Sequence, residues 1–126
     1  MGNSYRDLKV WQRSMDLSVD VYRLTRQFPA DELYGLTSQL RRAAVSVASN
    51  LVEGYGRASR PEFRRFVAVA RGSLLEVETQ LMLACRLGLV SEARVKKTQD
   101  TAEEIAKMLW ALMEKLSRNQ RLIPEG

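Results

Sequence analysis

The sequence predicts a single all-α domain, an antiparallel up-and-down four-helix bundle. Four segments repeat apolar residues every three to four positions, which is the spacing of one face of an α-helix. Gly, Pro and Ser residues separate these segments, and no segment alternates apolar and polar residues as a half-buried strand does. The chain has 126 residues, 45% hydrophobic and 28% charged, which is typical of one soluble domain.

The first helix is predicted from about Tyr5 to Gln27. Pro29 ends it, because the residue before a proline is pushed out of the α-helical region. This helix carries two apolar stripes where a monomeric bundle requires one. The first stripe comprises Leu8, Trp11, Met15, Ser18, Tyr22 and Thr25, and the second comprises Val10, Leu17, Val21, Leu24 and Phe28.

The second helix is predicted from Ala30 or Asp31 to Glu53, where Gly54 and Gly56 are expected to break it. Between residues 43 and 52 it is apolar on nearly all sides. Its core-facing residues are expected to be Leu33, Leu36, Leu40, Ala43, Val47 and Asn50.

The third helix is predicted to begin after Ser59, an N-cap residue with Glu62 three positions later, and to end at Gly88. The fourth helix is predicted from Ser91 to about Ser117. The domain would then span residues 1–117. The polar tail at 118–126 is expected to fray.

The surplus of apolar surface predicts self-association. Val45 and Val52 point away from the core-facing side of the second helix, and the first helix has its second stripe to cover. Covering both surfaces requires a partner, and another copy of the chain is the simplest one. We therefore predict an oligomer with Val45 and Val52 in its interface. The alternative is a monomer whose tails wrap over the patch.

Several classes of enzyme are excluded by composition. The chain has no histidine, the commonest general base and zinc ligand, and no Gly-x-x-x-x-Gly-Lys phosphate loop. The lone Cys85 lies in an apolar run, which favours a buried thiol over a nucleophile. We predict no catalytic residues, no metal site and no cofactor, and hence a protein that is not an enzyme.

Cys85 also bears on location, because a single cysteine cannot form an internal disulfide. No secretory leader is visible in the sequence. The most apolar stretches, at 43–52 and 77–89, are broken by polar or charged residues and cannot span a bilayer. A cytoplasmic protein with no membrane partner is expected.

A group of polar residues lies close to the apolar stripes, namely Asn50, Glu53, Ser73, Glu76 and Glu78. Carboxylates inside a helical bundle can hold two metal ions, but that design needs Glu-x-x-His pairs, which this chain lacks. We therefore predict structural roles, as buried hydrogen bonds or ion pairs with arginine that set the helix register. Asn50 and Glu53 are expected to be at least partly buried.

Basic residues are concentrated in the middle of the chain. The net charge is +5, and residues 37–75 carry seven arginines against only Glu53 and Glu62. Arginine suits bidentate contact with phosphate, which predicts a nucleic-acid-binding face. An equally open alternative is a solvated face with internal ion pairs. The candidate residues are Arg41, Arg42, Arg57, Arg60, Arg64, Arg65 and Arg71.

Within this set, Arg60, Arg64 and Arg71 fall on one stripe of the third helix. Arg64 and Arg65 are expected to lie off its core-facing side. Some of the arginines are expected to pair with Glu53, Glu62 or Glu76, which would leave about four or five for phosphates.

Six sequence motifs occur in consecutive order along the chain: DLKVWQ at 7–12, FP at 28–29, ELYGL at 32–36, QLRRAA at 39–44, SNLVEG at 49–54 and GSLLEVET at 72–79. Over residues 5–116 the chain resembles the bacterial four-helix bundle family known as 23S rRNA-intervening sequence proteins. It departs slightly at Leu51 and Val52, where Ile-Ala is usual, which bears on packing rather than on role.

The resemblance implies a cytoplasmic four-helix bundle that assembles as a ring-shaped homopentamer. The coding sequences of this family lie within intervening sequences of ribosomal RNA genes and in many other bacterial contexts. The family is similar in fold to the accessory protein of diversity-generating retroelements, a basic pentamer that binds reverse transcriptase and nucleic acid.

These observations together predict a non-enzymatic, oligomeric accessory protein that binds nucleic acid, with RNA favoured, through an arginine-rich face. The alternative is a structural or protein-interaction module that binds no nucleic acid and uses its basic face for solubility or for a protein partner.

Overall fold

The computed structural model describes residues 4–121, which contain four α-helices and no β-strand. Helix α1 spans Lys9–Thr25, α2 spans Ser38–Tyr55, α3 spans Arg60–Arg86 and α4 spans Glu92–Arg121. Each helix packs against the next one in the chain, and α1 also packs against α4. The prediction of an all-α domain with four helices is confirmed.

Most of the core is built from the stripes that the apolar spacing predicts. Two residues of the second helix differ: Leu33, expected to face the core, is 47% exposed, and Leu51, outside the expected set, is fully buried. Burial of each large side chain contributes about 1.5–3 kcal/mol, which makes this core the main source of stability. The largest fully buried side chains include Leu17, Leu24, Leu40, Leu51, Leu74, Leu81, Ile105 and Leu109. None of the four helices, as far as the chain is described, is long and apolar enough to cross a membrane.

The start of the second helix differs from the prediction. A short 3₁₀ turn at Ala30–Glu32 is followed by a π-helical turn at Leu33–Thr37, and α2 begins only at Ser38. The interruption lies at Gly35, whose backbone is not helical (φ −112°, ψ −114°). The Glu32 carboxylate accepts a hydrogen bond from the Leu36 amide and so caps the turn. The predicted single helix is therefore two segments with a kink between them.

The end of α2 also differs from the prediction, in which Gly54 breaks the helix after Glu53. The helix continues to Tyr55, and Gly54 is buried against α3. A Cβ at this position would lie 2.6 Å from the Phe66 Cβ, so only glycine permits this close approach of the two helices. Gly54 is a packing residue, and Gly56 caps the helix C-terminus.

The boundaries of α3 agree with the predicted signals. The Ser59 hydroxyl accepts a hydrogen bond from the Glu62 amide at the N-terminus of the helix. After the C-terminus, Gly88 adopts a positive φ of 76°, the left-handed conformation that favours glycine. The Leu89 amide then donates to the Ala84 carbonyl, which closes the helix end.

Helix α4 is longer than predicted. It extends to Arg121 instead of ending near Ser117, because no glycine or proline interrupts the chain before Pro124. The first four residues of the predicted frayed tail are therefore helical. The rest of that predicted tail, 122–126, lies outside the described residues.

Candidate nucleic-acid interface and self-association face

Two of the seven candidate arginines are ion-paired with the two glutamates of the basic segment. Arg57 Nη2 lies 3.0 Å from Glu53 Oε1. The Arg65 guanidinium donates two hydrogen bonds to the Glu62 carboxylate, at 3.2 and 3.3 Å. These pairs confirm that some arginines are engaged by Glu53 and Glu62. All four side chains are substantially exposed, so each pair adds little stability.

Both ion-paired guanidinium groups also lie over the ring of Phe66, at 4.9 Å for Arg57 and 4.5 Å for Arg65. Both guanidinium groups thus make a cation–π contact with the same aromatic ring. It holds the two arginines at the end of the bundle where α2 turns into α3. Their charges are therefore largely satisfied within the chain.

Arg41 is held in a different way. Its Nε donates to the Thr25 hydroxyl at 2.8 Å, and its guanidinium carbon lies 4.4 Å from the centre of the Tyr22 ring. Both partners are neutral, so the position of the guanidinium is set while its charge stays uncompensated. The exposed Arg42 follows it, and together they border a surface groove of about 680 Å³.

The arginine stripe on α3 lies on another side of the molecule. Arg60 and Arg71 are exposed, but Arg64 is half-buried and its Nε donates to the Met113 carbonyl of α4 at 3.3 Å. The expectation that Arg64 lies off the packed side of α3 is wrong, because its side chain bridges α3 and α4. Arg65, in contrast, is exposed as expected.

The seven arginines therefore do not form one face. Arg41 contacts α1 across the α1–α2 groove, whereas Arg64 contacts α4 across the α3–α4 groove. Because the four helices pack in the cyclic order α1, α2, α3, α4, these two grooves lie on opposite sides of the bundle. The sequence predicted the charge excess of the segment but not its division between two sides.

The predicted structural polar residues fall into two groups. Ser73 is buried, and its hydroxyl lies 2.8 Å from that of Ser46. The half-buried Asn50 donates from Nδ2 to both the carbonyl and the hydroxyl of Ser46, each at 2.9 Å. The Ser46–Ser73 contact links α2 to α3, whereas the Asn50 bonds lie within α2. Both Asn50 and Ser73 are thus hydrogen-bonded, as predicted.

The three glutamates of that set behave differently. Glu53 is exposed, so the prediction that it is at least partly buried is wrong; its carboxylate reaches only Arg57. Glu76 is exposed as well, beside the α2–α3 groove. Glu78 is half-buried, and burial together with the nearby Glu103 carboxylate raises its pKa above the ordinary value for glutamate.

An apolar face covers α1 and α2 on the outside. A groove of about 390 Å³ is bordered by Trp11, Met15 and Ala48 together with the two predicted interface residues, Val45 and Val52. Val45 is 41% exposed and Met15 42% exposed, and Val52 is half-buried. The sequence placed an uncovered apolar surface on these two helices, and the structure locates it between them.

Two tyrosines next to this face were not predicted as site residues. Tyr22 borders the same groove as Arg41 and is 43% exposed, and Tyr34 is 94% exposed. Tyr22 belongs to the first of the two apolar stripes of the first helix, which was the available signal. Tyr34 follows no periodic pattern, because its exposure depends on the π-helical turn.

Within residues 4–121 there is no group of three or more His, Cys, Asp or Glu side chains that could hold a metal ion. The half-buried Cys85 borders a groove between α3 and α4 with Glu78, Glu92 and Glu103.

A solved structure with a similar fold is that of a protein of unknown function from the S23 ribosomal protein family of Bacteroides thetaiotaomicron. The similarity covers 82% of this chain and 97% of that chain, with a TM-score of 0.75 and 20% sequence identity. At this identity the likeness concerns the fold alone. A comparison with curated proteins gives no significant match.

The sequence model of the 23S rRNA-intervening sequence proteins matches residues 6–111, which include α1, α2, α3 and most of α4. The match thus covers most of the chain, in agreement with the resemblance of the six sequence motifs. This chain belongs to the family of 23S rRNA-intervening sequence proteins.

Proposed function

We propose that this protein is a non-enzymatic, homo-oligomeric accessory protein that binds nucleic acid through arginines. One observation carries the proposal: Arg57 and Arg65 engage the two acidic residues of the basic segment. Among the side chains that the structure describes, the other five arginines of the segment have no carboxylate partner. These five are Arg41, Arg42, Arg60, Arg64 and Arg71.

Their geometry favours phosphate as the ligand. Arg41 and Arg64 are held by neutral acceptors, a hydroxyl and a backbone carbonyl, so each keeps a full positive charge in a defined position. A guanidinium that is already oriented loses less entropy when it binds a phosphate, and its planar fork suits two phosphate oxygens. The name of the family refers to ribosomal RNA, which favours RNA over DNA.

The protomer is proposed to be an up-and-down bundle with antiparallel neighbours. Contacts between α2 and α3 support this order, because Ser46 meets Ser73 while the later Gly54 meets the earlier Phe66. Contacts between α1 and α4 follow the same rule, with Arg13 on Glu104 and Asp20 on Arg94. Partners that run in opposite directions along the chain are typical of antiparallel helices.

Assembly is proposed to use the apolar face between α1 and α2, with Val45 and Val52 in contact between copies. Removing this apolar face from contact with water is favourable. A ring of five copies is what the family resemblance implies. The α3 stripe with Arg60 and Arg71 lies on the opposite side of the bundle and would stay accessible in such an assembly. A cytoplasmic location is part of the proposal.

The test measures binding of a fluorescent single-stranded RNA, and of DNA of the same sequence, between about 50 and 200 mM salt. With five arginines on phosphates, the slope of log affinity against log salt should be about −3.5 to −4.5 per protomer. The variant with Arg60→Gln and Arg71→Gln should have a slope that is smaller in magnitude by about 1.4–1.8.

The matched control carries Arg23→Gln and Arg86→Gln, two exposed arginines outside the basic segment. It loses the same charge but should keep the slope of the original chain. Absence of binding at low salt, or an equal loss in both variants, would overturn the proposal. The competing function, a protein-interaction module whose basic residues face an acidic protein, would then take its place.

A further inference from the structure

Tyr34 is placed in an unusual way for a large aromatic residue. Its side chain is 94% exposed, although it lies in the ordered π-helical turn that leads into α2. An exposed aromatic ring of this kind is available for stacking.

Two cavities flank Tyr34. One, of about 680 Å³, lies between α1 and α2; Tyr22 and Arg41 border it, and Val45 borders it toward the proposed contact between copies. The other, of about 450 Å³, lies between α2 and α3 and is bordered by Gln80. Arg42 and Tyr34 border both cavities at the start of α2.

We infer that the nucleic acid is bound as a single strand, with one base stacked on Tyr34 and the adjoining phosphates on Arg41 and Arg42. This inference rests on the proposed function and specifies its ligand. Aromatic rings beside a basic groove are typical of single-strand binding, because a duplex keeps the faces of its bases stacked inside.

The experiment compares the affinity of the full chain for a labelled single-stranded RNA and for an RNA duplex of the same sequence. Tyr34→Ala should weaken single-strand binding roughly 5- to 150-fold, the range expected from the loss of one stacked base. Duplex binding and the salt slope should be unchanged, because no charge is removed. Tyr34→Phe, which keeps the ring, should bind like the original chain.

Trp110→Ala is the matched control, because Trp110 is an exposed aromatic residue on α4 that borders neither cavity. It should leave both affinities unchanged. Light scattering on Tyr34→Ala should give the same mass as the original chain. A changed mass would make Tyr34 a contact between copies and overturn the inference.

The inference also fails if duplex and single strand bind equally well, or if Tyr34→Ala has no effect; the proposed function would stand in either case. If neither RNA binds at low salt, the proposed function fails and the inference fails with it.

Discussion

The two grooves on either side of α1 differ in chemistry. In the α1–α4 groove, Arg13 lies 2.7 Å from Glu104, and Asp20 lies 2.6 Å from Arg94. The Asp20 carboxylate also accepts a hydrogen bond from the buried Thr98 hydroxyl. Polar and charged groups of the chain itself therefore close this groove.

The α1–α2 groove has no ion pair among the described residues. Its outer rim is apolar, with Met15, Val19 and Val45 each more than 40% exposed. The single polar link across it is the hydrogen bond from Arg41 to Thr25, near one end of the groove. The surface is thus left for something outside the protomer to cover.

Helix α1 thus borders two grooves with different roles in packing. A groove closed by paired charges exposes little apolar surface and gives a second copy nothing to bury. A groove with an apolar rim gains from burial, and the hydrophobic effect then favours association. Helix α1 therefore lies between a groove that is closed by ion pairs and a groove whose apolar rim is exposed.

The largest effect should come from a charge placed on the apolar face between α1 and α2. Val45→Glu should dissociate the proposed homopentamer, because an unpaired carboxylate in a packed interface is strongly unfavourable. Light scattering after size exclusion measures the mass. Val69→Glu is the control, because Val69 is 43% exposed, close to the 41% of Val45, but lies on α3. A monomeric original chain, or dissociation by both variants, would contradict the assignment of this face.

A smaller effect should follow from breaking the closed groove. Asp20→Ala should lower the free energy of unfolding by about 2–3 kcal/mol, because it leaves the half-buried Arg94 without its partner. Asp16→Ala removes an exposed partner of Arg13 and should lower it by less than about 1 kcal/mol. Urea unfolding of both variants at pH 7 provides the measurement. Equal losses would mean that the Asp20 cluster adds nothing beyond a surface pair.

The same cluster should respond to acid. Burial opposes ionisation of Asp20, but hydrogen bonds from Arg94 and Thr98 outweigh it and hold the pKa of Asp20 below its ordinary value. A carboxyl group with a lowered folded-state pKa stabilises fully above its unfolded pKa, near 3.9. That contribution is lost as the pH falls further, through the folded-state pKa. The difference in unfolding free energy between the original chain and Asp20→Ala should therefore shrink below about pH 4.

The smallest effect concerns Asn50, whose two hydrogen bonds to Ser46 lie within α2, beside the contact of Ser46 with Ser73 of α3. Asn50→Ala should lower the unfolding free energy by about 1–2 kcal/mol, because it removes two bonds to Ser46. Glu53→Ala, one helical turn away, should change it by less than about 0.5 kcal/mol, because Glu53 is exposed. Thermal unfolding of the two variants separates them. A similar melting temperature for both would remove the structural role of Asn50.

The residues that define the core and most of the helix boundaries could be predicted from spacing and capping alone. Leu17, Leu40 and Leu81 lie in the predicted stripes and are fully buried, because a 3.6-residue period allows only one arrangement of each apolar face. The Ser59 cap and the Gly88 turn were predicted for the same local reason. The kink at Gly35 was not, because it depends on how residues 33–37 pack.

The candidate site was less accessible to sequence reasoning. The identity of the arginines and the surplus of charge in residues 37–75 are properties of the sequence itself. Which arginine meets a carboxylate, a carbonyl or solvent is decided by the neighbouring helix. Arg64 and Arg65 are adjacent in the chain, yet one bridges to α4 and the other pairs with Glu62 on its own helix.

The sequence by itself determined the all-α class, the four helices, the core and the presence of more apolar surface than one bundle needs. These properties depend on interactions within a few turns of one helix. Three other properties become visible only in the tertiary structure. They are the ion pairs that close the α1–α4 groove, the apolar rim of the α1–α2 groove, and the partner of each arginine. The reason is that these properties arise between helices, where partners far apart in the chain, such as Asp20 and Arg94, meet only when the bundle has formed.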